Sequence, residues 1–406
     1  MTLTTSHAFA RRATSLLEGL RTAGEFKMLQ TIEGPMGPTV RLRRDDGSLH
    51  DVLCFCSNNY LGLANHPDVV EAGIKGIEKY GAGTASVRFI CGTFTPHLRL
   101  EKRIADMLGV EASYTFVSCW NATEALFPTL ATPDDVIVSD ALNHACIIDS
   151  MRLATSIQKG ITKLIYPNND MDALAKQLEK ARDVKGDEGV IWIITDGVFS
   201  MEGSIADLPR LRELADAYDA VLIVDDSHGT GVMGRTGRGT HEHYDMPGDR
   251  IDLFTGTLGK ALGGAAGGYI AGPRYAVETI VQRARPTLFS NALPVSVACS
   301  ADKAIEILMN EPHRVEQLHD NVRYAREQIR AAGFTVVESP TAICPIIVGE
   351  TSKAIAMSKR LLESGIYVIG FGYPVVPEGE ARLRVQISAA HTREHLDALV
   401  DGLKKL

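Results

Sequence analysis

The chain has 406 residues, more than one ordinary hydrophobic core carries, so two domains sharing an interface are expected. Hydrophobic residues make up 45% and charged residues 23%, a globular composition that excludes long disordered tracts. The formal net charge is -8 with no basic tract, which excludes the electrostatic footprint of a nucleic-acid binder and leaves anionic substrates to be met by local positive groups.

Residues 8–22 carry Phe9, Leu16, Leu17 and Leu20 on one side and predict an amphipathic helix. A Gly/Pro-containing loop, 33–38, leads to two short strands, Thr39–Leu42 and Val52–Cys56. From about residue 60, helices alternate with short apolar runs. The helix bearing Leu100, Ile104, Met107 and Leu108 stops at Gly109, a residue suited to a left-handed C-terminal position. Ser113–Val117, Gly189–Thr195, Ala220–Val224 and Ile251–Gly256 read as strands. Between the second and third lies a helix with Leu208, Leu211, Leu214, Ala215 and Tyr218 on one face and Pro209 in its first turn. Strands apolar on both faces and separated by helices predict a largely parallel sheet covered on two sides.

The last ~110 residues change in texture, with strands at Ile366–Ile369 and Leu383–Ser388 and a final helix carrying Leu396, Leu399, Val400 and Leu403 behind Thr392 as N-cap. The expected organisation is an N-terminal helix and short strands over 1–55, a large domain over 56–293, and a smaller α+β domain over 294–406 that the N-terminal segment completes. The seven cysteines (Cys54, Cys56, Cys91, Cys119, Cys146, Cys299 and Cys344) have no zinc-site spacing, so no metal site is expected and reduced thiols in a cytoplasmic protein are. Met1–Thr5 lack the pattern of a secretion signal, and no run reaches the ~20 apolar residues of a membrane span.

Chemistry concentrates at strand ends. Gly189–Thr195 runs into Asp196-Gly197-Val198-Phe199-Ser200, Ala220–Val224 into Asp225-Asp226-Ser227-His228, and Ile251–Gly256 into Thr257-Leu258-Gly259-Lys260. In open α/β sheets, ligands bind outside the carboxyl ends of the strands, so these groups can meet around one crevice. A lysine for a Schiff base, an acid for a pyridine nitrogen and phosphate donors are what pyridoxal phosphate (PLP) needs. Each residue alone has a plainer reading: a solvated lysine, an Asp-Asp-Ser helix cap, a structural histidine. The glycines at 263, 264, 267 and 268 favour the ligand reading for Lys260, because they let backbone approach closely. A nucleotide P-loop does not fit, since Ala261 follows Lys260 where Ser or Thr is required.

Three further segments are candidates. Ser118-Cys119-Trp120 sits between a strand and a helix start and suits either a phosphate or an ordinary cap. His144, in Asn143-His144-Ala145, could stack on a flat ring. Arg384 shares a strand face with Arg382 by period two; it could clamp a carboxylate, although a surface ion pair is the simpler expectation.

Ser57-Asn58-Asn59-Tyr60-Leu61-Gly62-Leu63, Gly92-Thr93 with His97, Asp196 to Met201, Asp225 to His228 and Thr257 to Gly264 together resemble the α-oxoamine synthases, from about residue 25 to 403. The resemblance implies the fold type I architecture of PLP enzymes, with a mostly parallel seven-stranded sheet in the large domain. It implies that Lys260 carries the cofactor and then moves the Cα proton, that Asp225 pairs with the ring nitrogen, that His228 and Ser200 lie by the ring hydroxyl, and that His144 stacks on the ring. Phosphate would be held at Ser118, Cys119, Trp120 and Thr257, and by Ser290 or Asn291 of a second copy, since the family forms homodimers. Arg384 and Asn58 would hold the amino-acid carboxylate.

Within the family, Ser86 to Thr93, Asp140 to Ala145 and Ser388 to Thr392 are similar to the glycine C-acetyltransferase subgroup. Val87 and Phe89 stand where aminolevulinate synthases place polar groups around the arginine matching Arg88, which implies a short, uncharged acyl group such as acetyl. Trp120-Asn121-Ala122-Thr123 and Phe94-Thr95-Pro96 depart from the subgroup on the phosphate and acyl sides. The expected reaction condenses glycine with acetyl-CoA, reversibly. The alternatives are another acyl-CoA or amino acid, as in 8-amino-7-oxononanoate synthase, and a PLP-dependent aldolase of 3-hydroxy amino acids. A PLP-sensing DNA-binding regulator is disfavoured by an N-terminal segment too short for a helix-turn-helix.

Overall fold

The computed structural model describes residues 7–23, 26–373 and 375–406; the segment Met1–Thr5, read for a secretion signal, lies outside them. The large sheet has seven strands, in the order Ala112–Phe116, Gly268–Gly272, Leu253–Thr257, Ala220–Asp225, Ile191–Asp196, Val136–Asp140 and Thr162–Tyr166. Gly268–Gly272 runs antiparallel to both neighbours, and the other strands share one direction. Val136–Asp140 and Ile191–Asp196 are buried at every position. Their side chains alternate between two cores: Val136, Val138, Ile191 and Ile193 pack into one, Ile137, Trp192 and Ile194 into the other. That two-sided burial is why the strands read as unbroken apolar runs.

Helix ends follow the local signals. Gly109 closes the helix Thr95–Leu108 at φ 72°, where a Cβ would be strained. Pro209 lies in the first turn of Leu208–Ala217, behind the cap Asp207. Thr392 caps Arg393–Lys404, accepting from the His395 backbone N–H. The helix expected at 8–22 forms at Ala8–Thr22, but it buries none of its residues: Phe9 is 62% and Leu16 65% exposed.

One element differs from the expectation. Residues 366–369 are two strands in different sheets. Ile366–Tyr367 joins Thr31–Ile32, Thr39–Arg43 and Leu49–Cys54, pairing in parallel with the last. Ile369–Phe371 pairs with Ala381–Gln386, which also pairs with Ile343–Gly349. The handover occurs at buried Val368 and serves two sheet edges that are distant in sequence, so a continuous apolar run hides it.

The C-terminal strand region is tied back to the N-terminal segment. Gln386 N–H donates to the Phe55 carbonyl at 2.7 Å. His391, stacked on Phe55 with centroids 4.3 Å apart, accepts from Ser388 N–H at 3.0 Å and donates to the Cys54 carbonyl at 3.1 Å. Burial pushes the His391 pKa down to about 4. Its folded pKa is below the ordinary value near 6.5, so the neutral ring stabilises the fold above that pH and the contribution is lost as pH falls toward about 4. His391→Gln should flatten the fall in unfolding free energy between pH 6.5 and 5 by up to about 1.4 kcal/mol per pH unit, read by urea denaturation.

Candidate active site

The sheet register brings the strand ends together. Asp196 pairs with Asp225, and Asp225 with Thr255, two residues before Thr257. Asp225 is 4% exposed; it accepts from the Thr255 hydroxyl at 2.8 Å and the Ser227 N–H at 3.0 Å, and the Cys119 thiol lies 3.6 Å away. Lys260 lies where Asp225, Asp196 and Arg384 all act on its charge, and its Nζ has no hydrogen-bond or ion-pair partner among the described residues. Burial lowers its pKa, against the pull of Asp225 and Asp196. The same burial raises the Asp196 carboxyl well above its ordinary range, with Asp225 adding to the rise. A cation and two carboxyl groups thus share one poorly solvated floor, where small changes in charge are felt strongly.

His144 caps the helix Ala145–Ile157. Its Nδ1 accepts from Cys146 N–H at 3.3 Å, its own N–H donates to Asp196 Oδ2 at 3.2 Å, and its ring lies edge-on to Trp120. Burial lowers its pKa, so the ring is neutral with its proton on Nε2. His228 is 8% exposed and is held well below its ordinary pKa by burial and by the charges of Lys260 and Arg384.

Arg384 corrects the simpler sequence expectation. It makes no ion pair among the described residues; Arg382 on the same strand takes Glu202 and Glu380 instead. Arg384 Nε and Nη2 are buried without a partner. An unpaired buried guanidinium is costly unless a ligand completes it. Asn58 Oδ1 accepts from Gln386 Nε2 at 2.6 Å, leaving the Asn58 amide N–H groups without a partner among the described residues.

Ser118 caps the short helix Cys119–Glu124, so the N–H groups of Cys119 and Trp120 have no carbonyl within that helix. A Cβ on Gly268 would collide with the Cys119 backbone, which explains a glycine in the middle of a strand. The Thr257 hydroxyl donates to Gly267 O at 3.2 Å. Ser290 and Asn291 follow the helix Arg285–Phe289, and Asn291 bridges to Val87. Ser200 lies in the turn after Ile191–Asp196, with no hydrogen bond from its hydroxyl among the described residues.

Sequence reasoning assigned no role to Asp196, Cys146, Tyr60 or Gln386. Asp196 ends a strand beside Asp225's strand, a signal that was present; Gln386 becomes visible only through its contacts.

Arg88 is occupied. Glu101 accepts from both its Nη atoms, at 2.7 and 3.1 Å, and its guanidinium lies 4.6 Å from the Tyr114 ring centre. Both partners are buried, and Glu101 also takes the Thr115 N–H and hydroxyl. Phe89, next in sequence, is 61% exposed.

Residues 50–403 match the aminotransferase class I and II family, and the chain belongs to it. This is a PLP-dependent family. The chain is 45% identical over 98% of its length to the 2-amino-3-ketobutyrate coenzyme A ligase of Salmonella typhimurium, of which it covers 97%. It is 42% identical over 96% of its length to the 8-amino-7-oxononanoate synthase of Thermoanaerobacter pseudethanolicus, covering 95% of that protein. A serine palmitoyltransferase from S. paucimobilis, solved with a PLP-myriocin aldimine, superposes with a TM-score of 0.88 at 27% identity over 98% of both chains.

The residues present fit PLP: a poorly solvated amine without a partner among the described residues, an acid beside it, and backbone drawn tight at Gly268. Glu101→Ala should leave Arg88 buried and uncompensated and cost about 3–5 kcal/mol, measured as a fall in the denaturation midpoint.

Proposed function

We propose that this chain is a PLP-dependent C-acyltransferase that condenses glycine with acetyl-CoA to give 2-amino-3-oxobutyrate and CoA. The observation that carries this reading is the crevice in which a partner-free Lys260 faces Asp225 and a buried, unpaired Arg384. The bound cofactor supplies an electron sink for negative charge at the amino-acid Cα. Asp225 would pair with the ring nitrogen, and His144 would cover the ring. His228 would face the ring hydroxyl, with Ser200 as a further candidate donor to it. Ser118, Cys119, Trp120 and Thr257 would hold the phosphate. Arg384 binds the glycine carboxylate through two parallel hydrogen bonds, with the Asn58 amide as a further donor. Lys260 Nζ, whose pKa burial lowers against the pull of Asp225 and Asp196, takes the Cα proton as the free amine. The new C–C bond forms as the thioester C–S bond breaks, and CoA leaves as the thiol. The reverse cleavage uses the same groups.

The acetyl donor is supported by Arg88. Its pairing with Glu101 leaves no free guanidinium there for the distal carboxylate of a succinyl or pimeloyl donor. The 8-amino-7-oxononanoate synthase likeness makes a longer donor the second reading.

The acting unit is a homodimer in this proposal. Phe89, Ile90, Trp120 and Phe289 are exposed apolar groups around the crevice, and the apolar side of Ala8–Thr22 is bare. Ser290 and Asn291 then complete the partner's phosphate site, and Val87 and Phe89 lie against the acyl group. The division at residues 55 and 293 is likewise proposed, with Val295–Asn310 packing back on Pro67–Tyr80 and Thr95–Leu108. The seven free thiols support a reducing, cytoplasmic setting.

The test pairs two measurements. Wild type loaded with PLP should show a visible imine band that Lys260→Ala lacks, and CoA release with glycine should be fastest from acetyl-CoA. Failure to load PLP overturns the reading; preference for pimeloyl-CoA moves it to the second one. Arg384→Leu should raise KM for glycine roughly 100-fold or more, as loss of two charge-assisted hydrogen bonds of about 1.5–3 kcal/mol each requires.

A further inference from the structure

The Tyr60 hydroxyl is buried and has one proton for three neighbours: Gln386 Oε1 at 2.6 Å, His228 Nδ1 at 2.8 Å and Asn58 Oδ1 at 3.3 Å. The Gln386 amide is oriented by its other end. Its Nε2 donates to Asn58 Oδ1 at 2.6 Å and faces the Cys56 carbonyl at 3.4 Å, two groups that can only accept. Oε1 therefore faces Tyr60, and a carbonyl oxygen cannot donate. The Tyr60 proton goes to Gln386, over the shortest of the three distances. Tyr60 has nothing left to give His228, so His228 Nδ1 must be the donor in their contact.

We infer that Tyr60 and Gln386 are positioning residues. They form a hydrogen-bond chain of fixed polarity, running from His228 Nδ1–H to Tyr60, from Tyr60 O–H to Gln386, and from Gln386 N–H to Asn58. The chain sets two groups of the active site at once. At one end, Nδ1 keeps its proton and Nε2 is the only nitrogen of His228 that exchanges one with the crevice. Nε2 has no partner among the described residues, and Lys260, Arg384 and His144 all act on the ring from the crevice side. At the other end, Asn58 Oδ1 is occupied, so its N–H groups turn outward as donors for a carboxylate beside Arg384. Burial raises the Tyr60 pKa, keeping the hydroxyl protonated and the polarity in place.

The Asn58 end rests on the amino-acid-binding reading given above; the His228 end does not, and the tests separate them. In holoenzyme labelled with 15N-histidine, the His228 signals are assigned by their loss in His228→Gln. Nδ1 should be protonated in wild type, whether or not Nε2 also carries a proton beside the ring hydroxyl. Tyr60→Phe, which removes the acceptor, should populate the tautomer with Nδ1 bare. A bare Nδ1 in wild type overturns the proposal without any substrate, and whether or not the variant folds. Gln386→Leu frees Asn58 and should raise KM for glycine about tenfold; because it also removes the acceptor for the Tyr60 hydroxyl, it should shift His228 toward the tautomer with Nδ1 bare. An unchanged KM in that folded variant overturns the Asn58 end. Failure of glycine to react with the wild type while Nδ1 is protonated rejects the substrate reading and leaves the His228 end standing.

Discussion

Burying Lys260 beside Asp225 and Asp196 is the constraint around which the rest of the site is arranged. Desolvation works against every charge on that floor: it lowers Lys260 and His228 and raises Asp196. The mutual attraction of amine and carboxyl groups offsets part of this, and the hydrogen bonds that Thr255 and Ser227 give Asp225 offset more. Such an arrangement needs side chains held within a few tenths of an ångström. Parallel strands with every position buried provide that rigidity, since their ends cannot shift without opening two cores.

Asp225 and Asp226 show how one strand end serves two needs. Asp225 opens to the crevice. Asp226, next in the chain, turns away and is fully buried, accepting from the Thr240 N–H and the Thr230 hydroxyl and closing the glycine-rich segment that follows. Gly229 and Gly239 pack so closely against its carboxylate that a Cβ at either would collide with it. The segment it organises carries Gly231, which packs against Ala261 beside Lys260. Thus the structural aspartate supports the lysine's setting from behind while the other faces the lysine itself.

The Arg384 side of the crevice is built by a different route. Arg384, Gln386 and Asn58 come from opposite ends of the chain and meet because Ala381–Gln386 is laced to the segment around Phe55. This joint also places the Tyr60 hydroxyl between Gln386 and His228. Asn58, Gln386, Tyr60 and His228 are therefore members of one hydrogen-bonded unit.

Much of this was legible in the residues alone. Period, run length and caps located four of the seven strands of the large sheet and the helix ends at Gly109 and Thr392, because those features are set by local backbone sterics and by two-sided burial; Val136–Asp140, Thr162–Tyr166 and Gly268–Gly272 were not read as strands. The strand-end positions of Asp225, His228 and Lys260 pointed to one crevice, because parallel sheets expose their ligand sites there. What local pattern could not express was pairing across distance. The split of 366–369 between two sheets, the choice of Arg382 rather than Arg384 for the ion pairs, the capture of Arg88 by Glu101, and the Tyr60–Gln386 contact 326 residues apart all depend on which surfaces meet. Those meetings are decided by tertiary packing, where a buried polar group takes whatever partner the fold delivers and leaves Arg384 open only because no such partner arrives.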